Sequence, residues 1–143
     1  DGRPFIASHS DCKKFSSHPR NLTDDQLRAI RDANGCVGLN AWNEFLDNDP
    51  AKGDINRLAD HCEHMIDVMG IDHVGCGFDF CGFLGDPNDP EVYSGMDAVT
   101  AGLEDASKIP GLFEILKNRG MREDEIEKIA FRNFHRIVKE VVG

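Results

Sequence analysis

Three short stretches carry side chains that could do chemistry. Ser8-His9-Ser10 follows the apolar run Pro4-Phe5-Ile6-Ala7, Arg20 stands behind His18-Pro19, and Asp79 follows Gly75-x-Gly77-Phe78. An imidazole can ligate a divalent metal through one ring nitrogen while a neighbouring acceptor holds the other. A carboxylate can act as a general base or bind a substrate ammonium, and a guanidinium fork suits a carboxylate. Asn40, after a second apolar run, is a further candidate for substrate contact. Each residue also has an ordinary explanation. A single histidine beside an apolar run more often packs than ligates. Asp79 could cap the turn that follows it, and Arg20 could pair with a surface carboxylate. Spacing alone leaves these alternatives open.

Other patterns carry less. His61 and His64 lie three apart in ADHCEHM, a spacing that can hold zinc, but no partner ligand is evident and both are expected to line helix–sheet packing. His73 opens a strand at its N-terminal end, where residues serve stability. The G-x-G at 75–77 has no helix at the distance a nucleotide site requires. The five cysteines, at 12, 36, 62, 76 and 81, are odd in number and form no C-x-x-C. Reduced thiols packed as small hydrophobes are expected rather than disulfides.

The elements that would position these residues alternate along the chain. Phe5 to Ser8 reads as a short buried strand. A helix then starts at Thr23, an N-cap with acidic Asp24 and Asp25 behind it and Gln26 completing a capping box. Leu27 and Ile30 form its buried stripe, and Asn34-Gly35 ends it in the left-handed conformation glycine tolerates. Cys36 to Ala41 is a second strand and Trp42 to Lys52 a loop. Asp54 caps a helix with Ile55, Leu58, His61-Cys62, Met65-Ile66 and Met69 at helical spacing, closing at Gly70. His73 to Phe78 is a third strand, whose glycines allow close backbone approach.

The segment from Asp79 to Ser107 is long and rich in Gly, Pro and Asp, and a loop of this length in a compact domain is either functional or disordered. Helices follow over Leu112 to Arg119, from Arg122, and over Phe131 to Val142, the last with Phe134, Ile137, Val138 and Val141 on one face. Apolar strands alternating with amphipathic helices imply an α/β fold with a parallel sheet. His9, Asn40 and Asp79 then fall at strand C-terminal ends, where such folds place function. Three strands leave exposed edges, so a partner chain or a larger barrel is expected.

Composition narrows the field. With 26 acidic against 16 basic residues the formal charge is −10, which disfavours nucleic-acid binding. No apolar stretch approaches the ~20 residues that span a bilayer. The 143 residues are enough for one domain, residues 1–143.

In order along nearly the whole chain, FIASHS, HPRNLTDDQLRAI, VGLN, ADHCEHMIDVMGIDHVGCGFDF, GLEDASKIP and NFHRIV resemble the membrane (renal) dipeptidase family. These are metal-dependent dipeptidases of the amidohydrolase group. The resemblance covers the C-terminal half of that family's (β/α)8 TIM-like barrel, and so implies about three parallel strands with covering helices. It implies that His9 is a ligand of a dinuclear zinc site, that Arg20 grips the substrate's terminal carboxylate, and that Asp79 contacts the substrate amine and handles a proton. The implied reaction is hydrolysis of a dipeptide by metal-activated hydroxide.

Two departures stand out. The family's D-F-D-G reads Asp79-Phe80-Cys81-Gly82 here, with cysteine in place of the second acid. The family's H-x-D pair, bridging glutamate and further zinc-ligating histidine have no counterpart in this sequence. A (β/α)8 barrel typically needs ~250 residues, so the expected partner is an N-terminal half or another copy of the chain. The alternative reading is a non-catalytic barrel fragment acting as a binding or assembly module. Acidic character and free thiols suggest a bacterial or archaeal cytoplasmic protein, with the family's secreted or lipid-anchored members as the alternative.

Overall fold

A computed structural model of the chain describes residues 2–81 and 99–143. Its strands are β1 (Ile6–Ala7), β2 (Cys36–Leu39) and β3 (Val74–Cys76), joined in parallel in the order β1-β2-β3. Ile6 pairs with Cys36, and Val37, Gly38 and Leu39 pair with Val74, Gly75 and Cys76. The helices are α1 (Asp24–Asp32), α2 (Asn43–Leu46), α3 (Ile55–Met69), α4 (Ile109–Asn118), α5 (Glu123–Glu127) and α6 (Asn133–Val142). This is the α/β fold with a parallel sheet that the alternating pattern predicts.

Local chemistry explains most boundaries. Thr23 and Gln26 form the reciprocal capping box of α1, with bonds of 3.2 and 2.9 Å. Asp54 caps α3 by accepting from the Arg57 N–H at 2.9 Å. At the end of α1 it is Asn34 that adopts the left-handed conformation, at φ 56°, and not Gly35. Gly35 is required for space instead, since a Cβ there would meet the Phe5 carbonyl oxygen at 2.5 Å.

The sheet has two unlike faces. Val37, Leu39 and Val74 enter a core shared with Leu27, Leu58 and Met65 of α1 and α3. Gly38, Gly75 and Gly77 mark the opposite face, where the Phe134 ring of α6 lies within 3.0 Å of a Cβ built on Gly75.

Several expectations are corrected. Phe5 to Ser8 is not a buried strand: only Ile6–Ala7 pairs, and Phe5 and Ile6 are 51% and 37% exposed. Among the described residues β1 has a strand on one side only. The expected loop at 42–52 contains α2 and a 3-10 turn at Pro50–Lys52, which Asp49 caps. Helix α4 starts at Ile109, with Pro110 in its first turn where a missing N–H costs nothing.

The last two expected helices are one continuous run, α5 leading through a π-turn at Lys128–Arg132 into α6. Phe134 and Ile137 pack as expected, whereas Val138 and Val141 are exposed, with no described element over them. Of the long segment expected at 79–107, residues 82–98 lie outside the described residues. Beyond it, Val99 bridges Trp42 and Ala101 bridges Asp54.

Candidate active site

The three strand ends converge. His9 follows β1, and its Nδ1 lies 2.7 Å from Ser8 Oγ. Its Nε2 faces Asp79 Oδ2, beyond β3, at 4.0 Å. The two side chains are 38% and 42% exposed, so they share an open surface position and are not a buried pair. If Nδ1–H donates to Ser8 Oγ, the free lone pair sits on Nε2 and points toward Asp79, as a metal-ligating imidazole requires.

The glycines make this approach possible. Ser8 O lies against Gly38 and Gly77, where any side chain would collide with it. The Ser10 N–H donates to Gly38 O at 2.7 Å, clamping the far side of the turn. Asp79 itself sits at φ 60°, a left-handed conformation that a non-glycine residue adopts at a modest cost. Cys81 Sγ lies 3.1 Å from the Asp79 carbonyl oxygen and 3.7 Å from its Oδ1. Partial burial and the Asp79 carboxylate raise the pKa of that thiol.

Arg20 stands on the loop between β1 and α1. It is exposed, its guanidinium carbon 5.6 Å from the centre of the Phe45 ring, and its backbone N–H donates to His18 Nδ1 at 3.2 Å. His18 also stacks on Phe45, ring centres 4.3 Å apart. The loop after β1 thus leans on α2, the short helix that follows β2. Asn40 lies beneath this surface, wholly buried, with its backbone N–H donating to Asp11 Oδ1 at 3.2 Å.

Two residues that sequence reasoning passed over hold the site together. Asp11 is fully buried, and burial pushes its pKa well above the usual aspartate value, against the opposing Asn40 N–H. Asn21 is buried, and its Nδ2 reaches the carbonyls of Cys12, Ser16 and Phe45 at 3.2, 3.1 and 2.7 Å. Those bonds shape the loop that carries Arg20. Their positions beside His9 and Arg20 are the only sequence signal for either residue.

The other histidines resolve as structure. His61 is buried, with Nε2 2.8 Å from Leu46 O and Nδ1 accepting from the Cys12 N–H at 3.2 Å. Desolvation lowers its pKa to about 4, and the nearby Cys12 thiol is pushed up to about 12, so both are neutral. His64 Nε2 bonds Asp24 Oδ1 at 2.8 Å. Among the described residues no three His, Cys, Asp or Glu side chains gather into a metal site.

The profile of the membrane dipeptidases, peptidase family M19, matches residues 2–142. The chain belongs to that family. An uncharacterized protein from the pqqA 5′ region of Klebsiella pneumoniae is 34% identical over 141 residues, covering 96% of this chain and 47% of that protein. An uncharacterized dipeptidase of Schizosaccharomyces pombe is 36% identical over 137 residues, covering 95% of this chain and 30% of its own length. The chain therefore spans less than half the length of these relatives.

Among solved structures, a metallo peptidase from Rhodobacter sphaeroides, liganded with a phosphinate mimic of the dipeptide L-Ala-D-Ala, superposes with a TM-score of 0.79 at 30% identity. The match covers 96% of this chain and 36% of that one. An amidohydrolase from Pseudomonas aeruginosa gives a TM-score of 0.82 at 27% identity, covering 97% and 46%. The M19 chain thus has the fold of a portion of a (β/α)8 amidohydrolase barrel, and no helix among the described residues is long and apolar enough to cross a membrane.

Proposed function

We propose that this M19 chain is the C-terminal part of a zinc-dependent dipeptidase, and that it hydrolyses the peptide bond of dipeptides once a further segment completes the barrel. The observation that carries the reading is the convergence of His9 and Asp79, 4.0 Å apart at the ends of β1 and β3. The donor chemistry fits a metal at one position: His9 Nε2 would ligate it, with Nδ1 held by Ser8 Oγ. The metal, when bound, supplies a Lewis acid and lowers the pKa of water at the scissile carbonyl.

The chain's own residues do the rest. Arg20 binds the substrate's terminal carboxylate through its fork, with Phe45 limiting the swing of the guanidinium. Asp79 contacts the substrate's free amine and carries a proton between the attacking and leaving groups. Asn40 acts from below, holding the Asp11–Asn40 link that fixes the turn after His9. The remaining metal ligands come from an N-terminal half or from a second copy of the chain. The buried thiols of Cys12, Cys36 and Cys62 favour a reducing, cytoplasmic setting.

A specific observation favours a second reading. With no three-donor group among the described residues, the chain by itself could be a binding or assembly module with barrel architecture. Zinc content and dipeptide hydrolysis, measured for the chain alone and combined with an N-terminal half from an M19 relative, separate the two. The dipeptidase reading expects activity only in the combined form and its loss on His9→Ala. Undiminished hydrolysis by the His9→Ala variant, or none in the combined wild type, defeats it.

A further inference from the structure

We infer that Phe134, at the start of α6, is a positioning residue for His9, acting along the glycine face of the sheet over Gly38. The structural coupling stands independently, and its consequence for a metal rests on the dipeptidase reading above.

The path begins with the π-turn at Lys128–Arg132. Such a turn widens the helix by one residue per turn and shifts the facing that follows. After it, Asn133 is buried, its Nδ2 donating to Ile71 O and Val74 O, both at 2.7 Å. That double anchor fixes the next residue against the glycine face of the sheet. The Phe134 ring then covers Gly75, with ring atoms 3.0 and 3.2 Å from a Cβ built there, and its tip reaches Gly38, 2.9 Å from the corresponding point.

Ser8 O occupies the same space over Gly38 and continues against Gly77. The carbonyl preceding His9 and the tip of the Phe134 ring are therefore both within contact range of one point above β2. On the far side of His9, Ser10 N–H is bonded to Gly38 O. The His9 turn is thus held close to Gly38 on both flanks, by the approach of the Ser8 carbonyl and the Ser10 bond, and the ring tip shares the space above Gly38 with that carbonyl. Glycines have no side chains with which to fill a space left by a smaller residue at 134, so its loss leaves a void into which the Ser8–Ser10 turn can relax. His9, held otherwise by Ser8 Oγ and its distant approach to Asp79, moves with that turn.

Amide hydrogen exchange of the chain tests the coupling, comparing wild type with Phe134→Ala, Phe134→Leu and Leu116→Ala. Leu116 is a buried residue of α4, so its truncation controls for general loss of stability. Exchange in residues 8–11 is read as a ratio to that of α3, which removes global unfolding. The ratio is expected to rise on the order of tenfold in the Phe134 variants and to stay at the wild-type value in Leu116→Ala. Phe134→Leu carries the test if the alanine variant does not fold. An unchanged ratio in the Phe134 variant that folds, or an equal rise in Leu116→Ala, overturns the inference.

Zinc affinity in the combined barrel, measured by chelator competition, is the second arm. A fall of about tenfold in Phe134→Leu with none in Leu116→Ala supports the link to His9. Unchanged affinity alongside faster exchange overturns that link. A wild-type barrel that binds no zinc defeats the dipeptidase reading, and the exchange ratio then decides the coupling by itself.

Discussion

The two ends of the three-stranded sheet are built to different standards. At the N-terminal end polar groups are matched: Asn133 serves Ile71 O and Val74 O, Arg136 serves the carbonyls of Asn34 and Asp72, and His73 Nδ1 meets Gly35 O at 2.7 Å. At the C-terminal end several buried polar atoms have no hydrogen-bond partner among the described residues. Asp11 Oδ2, Asn21 Oδ1, both amide atoms of Asn40, and Thr100 Oγ1 are examples. A buried polar atom without a partner costs about 1–3 kcal/mol, and Asp79 adds a left-handed backbone. One end therefore contributes stability, and the other gives some of it up to hold polar groups in place. That asymmetry accords with the placement of function at strand C-terminal ends.

The sharpest way to break this comparison is to change one residue at each end. Asp79→Asn keeps a side chain that tolerates the left-handed conformation and removes only the proton-carrying carboxylate. In the combined barrel, kcat for dipeptide hydrolysis should fall by roughly 10²–10⁴, with the melting temperature unchanged. Steady-state kinetics and a thermal melt check both halves of the statement. A large loss of stability without loss of kcat would place Asp79 among the structural residues and erase the asymmetry.

Asn133→Ala should do the reverse. It strips two buried carbonyls of their shared donor and should cost about 2–3 kcal/mol in a urea melt, while kcat at saturating zinc should fall far less than in Asp79→Asn. A cost below about 0.5 kcal/mol would mean that water replaces the amide and that the N-terminal end is no better satisfied than the other.

How much of this difference is legible in the sequence depends on the range of the interaction. His9 and Asp79 could be read because each directly follows an apolar run, and strand ends are local features. Thr23, Gln26 and Asp54 could be read because capping is settled within four residues. Asp11 and Asn21 could not. Their burial arises when the loop after β1 folds back on itself, Leu22 N–H donating to Asp11 O and Lys13 N–H to Leu22 O, and nothing nearby in sequence marks that closure. The exposure of Phe5 and Ile6 was hidden for a different reason: an apolar run reads the same whether or not a strand lies beyond it. The π-turn that aims Phe134 has no local signature either.

Between the two ends lies the neutral pair Cys12–His61, which gives a pH test of the interior. Desolvation holds His61 near about 4 when folded, against 6.5 for a free imidazole. A depressed folded value means that its stabilising contribution is complete above pH 6.5 and is lost as the pH falls from there through about 4. Between pH 7 and pH 5 the chain should lose roughly 2 kcal/mol of stability from this group. His61→Gln should remove that part of the pH dependence in urea melts at the two pH values. An unchanged slope would mean that other groups set the acid limit.

The smallest expected effect lies at the loosest point of the C-terminal end. Arg20 is exposed, and its side chain rests on the Phe45 ring, so its replacement removes little packing. Arg20→Lys keeps the charge and removes the planar fork that pairs with a carboxylate through two bonds. KM for dipeptides should rise about tenfold, equivalent to about 1.4 kcal/mol of binding, with kcat and stability unchanged. Substrates whose terminal carboxylate is amidated should bind the two proteins equally, because the fork then has nothing to grip. If the lysine variant instead loses kcat at constant KM, Arg20 acts on the transition state, and its loop belongs with His9 and Asp79 and not with the substrate-holding rim.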